Sequence, residues 1–85
     1  MPKSVFTGAH QYLVETLISA RKKSGLTQAM VAKELGKDQT FISNIENSQR
    51  RVDVLEFYAL ARAMGADPVK LYAEVVRKLP KNIKV

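Results

Sequence analysis

The chain has 85 residues, 46% of them hydrophobic, with no cysteine or tryptophan and a formal net charge of +6. That length suits one domain with one small, mainly aliphatic core, and the missing cysteines exclude a disulfide framework and a Cys-ligated zinc site. The basic balance favours phosphate backbones; no apolar run approaches the roughly 20 residues that cross a bilayer, and the first residues lack the apolar stretch of a signal peptide, so a cytoplasmic protein away from membranes is expected.

Residues 1–6 read as a loose arm. Thr7 or Gly8 opens a first helix running to about Lys23, with Leu13, Leu17 and Ala20 at helical spacing and Val14 and Ile18 beside them. Lys22 and Lys23 sit in its last turn, where cations complement the helix dipole, and Gly25 supplies the stop. Thr27 caps a second helix from Gln28 to Leu35, with Val31, Ala32 and Leu35 on one side; Gly36 ends it in the left-handed conformation. Asp38 caps a third helix from Gln39 to about Asn47, and a basic loop with Arg50 and Arg51 follows. Asp53 and Glu56 spell a capping box for a fourth helix whose inner side is Val54, Phe57, Leu60, Ala61 and Met64. Gly65 stops it, and Asp67-Pro68 starts a fifth, with Pro68 at the tolerated first position. Pro80 ends that helix and begins a short tail, residues 80–85. Nothing alternates with a period of two or signals a hairpin, so the expected fold is all-α: a compact five-helix bundle with a helical core over 7–79.

Helices 2 and 3 form a unit. Ala32 is small where helix 3 crosses helix 2, Gly36 permits the sharp turn, and Ile42 and Ile45 seal helix 3 against the core. The other side of helix 3 is unusual. Gln39, Thr40, Ser43, Asn44 and Asn47 are short amides and hydroxyls, poor choices for an ordinary solvated helix face. Such groups suit base-pair edges, where each donor meets a fixed acceptor. The spacing therefore reads as a helix-turn-helix that contacts double-stranded DNA, with a solvated polar face as the blander alternative.

The run Gly25-Leu26-Thr27-Gln28, then Val31-Ala32, Leu35-Gly36, Phe41-Ile42-Ser43 and Ile45-Glu46-Asn47, resembles the lambda repressor and Cro family of helix-turn-helix regulators. It is also similar to the xenobiotic-response-element group of bacterial and phage regulators. The resemblance continues through Arg50-Arg51, Leu60-Ala61 and Ala63-Met64-Gly65 and covers roughly Leu13 to Tyr72. It departs at Met30, where relatives often carry Glu, and at Ser48, where they usually carry Gly; extra apolar contact is expected of Met30. The resemblance implies a regulator, most often a repressor, binding near-palindromic operators as a homodimer, with helix 3 in the major groove.

On that reading Gln39, Thr40, Ser43 and Asn44 are the candidate base contacts. Thr27, Gln28, Lys37, Asn47, Arg50 and Arg51 are the candidate phosphate contacts. The resemblance further implies that Gln28 braces Gln39 and that Arg21 pairs with Glu46 as a scaffold. The apolar residues of helix 5 cover an arc of roughly 200°, wider than one core stripe needs. Leu71, Tyr72, Val75, Val76 and Leu79 are accordingly expected at a dimer interface, or else clasped by the domain itself and its N-terminal arm. His10, the only histidine, reads as a surface or packing residue, and with no metal-ligand or triad pattern legible, neither an enzyme site nor a cofactor is expected. Rival readings on the same fold are an antitoxin or restriction-modification controller, with a toxin or polymerase as protein partner, and an adaptor that does not read DNA.

Overall fold

The computed structural model describes residues 8–83. The expected arm at 1–6, Thr7 as a helix opener and the last two tail residues lie outside them. Among the described residues there are five helices and no strand: α1 (Ala9–Lys23), α2 (Gln28–Glu34), α3 (Gln39–Glu46), α4 (Val54–Ala63) and α5 (Pro68–Lys78). None is long and apolar enough to cross a membrane.

Leu17 from α1, Val31 and Ala32 from α2, and Ile42 and Ile45 from α3 share one core with Phe57, Leu60, Ala61 and Met64 at α4 and Leu71 and Val75 from α5. Val14 of α1 is fully buried as well. Helix α2 packs on α3, α1 on both α3 and α5, and α4 on α5 and α2. Phe57 and Tyr72 meet edge to face, 5.8 Å between centroids, which fixes α5 on α4. Val54 departs from expectation: at the first position of α4 it points outward and is 81% exposed.

Polar side chains tie α1 to its neighbours along its length. Thr16, buried at 1% exposure, donates Oγ1 to the carbonyl of Tyr12 at 2.9 Å and accepts Lys78 Nζ at 3.0 Å, joining α1 to the end of α5. Ser24 Oγ lies 2.9 and 3.0 Å from the carbonyl oxygens of Ala20 and Met64 and shares its one proton between them, joining the ends of α1 and α4. His10 Nε2 accepts the Val52 amide at 3.4 Å, pinning the loop before α4 to α1. Burial and the nearby Arg51 charge hold the His10 pKa below its ordinary value.

The helix caps carry the turns. Thr27 Oγ1 accepts the Met30 amide at 3.1 Å, and Met30 Sδ accepts the Thr27 amide at 3.5 Å. Met30 thus completes a capping box with a thioether, and half its surface remains exposed. Asp53 and Glu56 form the expected box on α4. Asp38 stands at the head of α3 with extended backbone, but its carboxylate makes no capping hydrogen bond; its charge beside the helix N-terminus is what remains favourable.

Helix α2 closes with two backbone bonds, Gly36 N–H to Lys33 O and Lys37 N–H to Ala32 O, across Gly36 at φ 69°. Helix α3 closes the same way, Ser48 N–H to Ile45 O and Gln49 N–H to Asn44 O, but the left-handed residue is Ser48 at φ 58°. A non-glycine residue there costs about 1–2 kcal/mol. Ser48 is 2% exposed, and its Oγ donates to Gln11 Oε1 at 3.0 Å, so a hydrogen bond between the exit of α3 and α1 offsets the strain.

Ser48→Ala keeps the strained backbone and loses the bond to Gln11, whereas Ser48→Gly loses the bond but relieves the strain. Urea unfolding is expected to show Ser48→Ala less stable than wild type by about 1–2 kcal/mol, with Ser48→Gly between them. A glycine variant less stable than the alanine variant contradicts this account of the turn.

Candidate nucleic-acid interface

Helix α3 presents two faces because its apolar residues fall on one side. Ile42 and Ile45 are 2% and 1% exposed. Phe41 is half-buried beside the core. Gln39, Thr40, Asn44 and Asn47 are exposed and Ser43 is partly so, with its Oγ donating to the Thr40 carbonyl at 3.2 Å. The structure therefore sets the four candidate base-contact residues and Asn47 along one open ridge.

A chain of hydrogen bonds fastens this ridge to α1. Arg21 Nε donates to Glu46 Oε2 at 2.6 Å, and Arg21 Nη2 to Oε1 at 3.0 Å. Arg21 Nη1 donates to the Leu26 carbonyl at 2.9 Å, so the guanidinium also holds the turn between α1 and α2. The two side chains are only 13% and 9% exposed. The hydrogen bond to Glu46 raises the Arg21 pKa, so this cation stays charged. Gln28 Nε2 donates to Glu46 Oε1 at 2.9 Å, and Gln39 Nε2 donates to Gln28 Oε1 at 3.1 Å. The Gln28–Glu46 link joins the expected ion pair to the expected brace; residues 18 positions apart carry no local pattern that announces it.

The basic surround is less uniform than the sequence suggests. Arg50, a candidate phosphate contact, forms a two-pronged ion pair with Glu56 at 2.9 and 2.7 Å, and its Nη1 also donates to the Arg51 carbonyl. Its guanidinium lies 4.7 Å from the centre of the Phe41 ring, with Lys37 Nζ 5.3 Å away on the same ring. Glu56 also accepts the Asp53 amide in the α4 cap. Pairing with Arg50 holds the Glu56 carboxyl below its ordinary value. Arg50 therefore locks the loop after α3 to α4, with its charge balanced. Lys37, Arg51 and Thr27 are exposed around the ridge, and Gln28 is half-buried with both ends of its amide engaged.

Helix α5 divides the residues expected at a dimer interface. Leu71 and Val75 are 5% and 1% exposed and belong to the core of the chain itself, so the structure does not present them to a partner. Leu79 is half-buried against the same core. Tyr72 and Val76 are about half exposed and, with Val69, form an outer stripe. Val54, Leu55 and Tyr58 of α4 are exposed as well. Tyr58, Val69 and Tyr72 line a cleft of about 800 Å³ between α4 and α5.

Glu46→Ala leaves Arg21 unpaired at a site that is mostly out of water. The variant is expected to lose about 3 kcal/mol in urea unfolding, and a loss below about 1 kcal/mol, the range of an exposed pair, contradicts the clamp.

A helix-turn-helix family model matches residues 17–71, from α1 through the clamp and the ridge to α5. The HTH-type transcriptional regulator y4dJ of Sinorhizobium fredii is 37% identical over 51 residues, which are 60% of this chain and 66% of that protein. A propionyl-CoA carboxylase regulator of Cereibacter sphaeroides is 29% identical over 84 residues, 99% of this chain and 17% of that protein. The chain thus spans less than two thirds of either relative. Among solved structures, an XRE-family like protein from Pseudomonas syringae pv. tomato superposes with a TM-score of 0.78 at 39% identity, covering 85% of this chain and 88% of that one. With α2 and α3 joined at Gly36 and the matched span running through both, the chain belongs to the lambda repressor and Cro type of helix-turn-helix family.

Proposed function

We propose that this protein is a sequence-specific double-stranded DNA-binding transcriptional regulator that acts as a homodimer on near-palindromic operators. The observation that carries this reading is the exposed ridge of short amides and hydroxyls on α3, bound to the core through a nearly buried ion pair. A rigid ridge of donors and acceptors meets base edges without first being ordered, which is what direct readout in the major groove requires. Gln39 and Asn44 match adenine with a donor and an acceptor each, the Thr40 methyl suits thymine, and Ser43 takes a base or a phosphate. Thr27, Lys37, Asn47 and Arg51 set the register on phosphates. Arg50 contributes by holding the loop, and Gln28 chiefly by bracing Gln39. Occupying a promoter, the protein blocks polymerase and represses.

The proposed two-fold contact is the outer stripe of α5, Val69, Tyr72 and Val76, which flanks the core stripe and stays exposed. Reading two half-sites at once requires a symmetric pair to hold its two α3 helices about 34 Å apart, one turn of the duplex.

Selection of bound duplexes from a random pool at physiological salt tests the reading. A palindromic consensus is the expected result, and recovery without any enriched motif contradicts it. Gln39→Ala and Asn44→Ala are each expected to cost about 1–3 kcal/mol on the consensus and to relax preference at one position per half-site; equal loss on every sequence removes that residue from base readout. Val76→Glu is expected to shift the protein toward monomers in sedimentation, and an unchanged dimer places the interface elsewhere.

A further inference from the structure

The direction of every hydrogen bond between the ion pair and the ridge follows from one group. A carboxylate has acceptors only. Glu46 receives Arg21 on both oxygens and Gln28 Nε2 on Oε1. Facing a carboxylate, the Gln28 amide has to present its nitrogen, which puts its oxygen on the other side. That oxygen is the acceptor for Gln39 Nε2. Gln39 therefore holds its nitrogen toward α2 and its oxygen away. An exposed glutamine without such a partner rotates its amide easily, because the terminal torsion is broad and roughly two-fold.

Gln39 Nε2 carries two hydrogens and donates to Gln28 Oε1; giving Gln28 the one that points away from its own Oε1 leaves the other beside Oε1 on one edge of the amide. That edge carries a donor and an acceptor in a fixed order, and adenine offers the complement, N7 as acceptor and N6 as donor. Reversing the amide sets acceptor against acceptor and donor against donor. The order of the two groups, and not only their presence, is what discriminates.

We propose that Arg21, Glu46 and Gln28 are specificity-determining positioning residues: the charge of Glu46 fixes, through Gln28, the donor–acceptor order that Gln39 shows to the major groove. This rests on the reading of α3 as the base-contacting ridge. It assigns the ion pair a part in base preference in addition to its part in stability. A phosphate role for Gln28 alone predicts weaker binding on all sequences alike, whereas a relay through Gln28 predicts a change at the one base position that Gln39 reads, and a relay that starts at Glu46 predicts the same change in Glu46→Gln.

The test uses duplexes carrying each base at the position whose preference Gln39→Ala abolishes. Gln28→Met leaves the ion pair intact, and Glu46→Gln replaces the acceptor-only group with an amide that can face either way. Both variants, shown folded by circular dichroism at the assay temperature, are expected to lose about tenfold of the discrimination at that position and to keep the preferences elsewhere. In a Gln39→Ala background, Gln28→Met is expected to change that preference no further. Full discrimination in Gln28→Met, or a loss equal on all duplexes, overturns the proposal. So does full discrimination in a folded Glu46→Gln, because the polarity then does not originate at Glu46; where that variant does not fold, Gln28→Met and the double variant decide. A wild-type protein that enriches no motif removes the reading of α3 itself, whereas a motif left unchanged by Gln28→Met sinks the relay alone.

Discussion

A single ion pair, Arg21 with Glu46, fixes where α3 stands. Helix α3 spans eight residues, too short to persist by itself in water. Its position comes from Ile42 and Ile45 in the core and from a charged contact that ties its last turn to α1. Apolar packing is non-directional, so it sets depth better than rotation. The forked guanidinium meets both oxygens of one carboxylate and the Leu26 carbonyl, which defines the rotation as well. At 13% and 9% exposure the pair lies between a surface bridge of little worth and a fully buried one with a heavy desolvation cost.

Two further devices keep the ridge still. At its start, the α2–α3 turn closes on Gly36. At its exit, Ser48 takes the left-handed conformation and hydrogen-bonds Gln11, and Arg50 holds the following loop against Glu56 and Phe41. The loop that looks like a patch of free positive charge is therefore partly neutral and structural. A net charge of +6 favours association with polyanions in general, and Lys37 and Arg51 are exposed at the margins of the ridge.

The helices, their caps at Thr27 and Asp53 and the turn at Gly36 were legible because each rests on local chemistry: a side-chain oxygen at an N-cap, a residue free to adopt positive φ, an apolar period of 3.6. The ridge was legible because its composition defies what a solvated helix prefers. Where contacts are long-range, residue type says less. Arg50 reads as a basic residue whether or not Glu56 neutralises it. Ser48 takes a position where glycine is expected, and its compensating bond comes from Gln11, in another helix. Thr16 has the shape of valine and hides its hydroxyl on the Tyr12 carbonyl, so its burial left no polar signature. On α5 the core stripe of Leu71 and Val75 adjoins the outer stripe of Val69, Tyr72 and Val76, and a single wide apolar arc conceals the boundary between them.

Nuclear magnetic resonance of the protein titrated with its selected duplex puts the whole account to the test. The backbone amides of residues 39–47 and the side-chain amides of Gln39 and Asn44 are predicted to shift most. Shifts concentrated on Tyr58, Val69 and Tyr72, with α3 unmoved, contradict it.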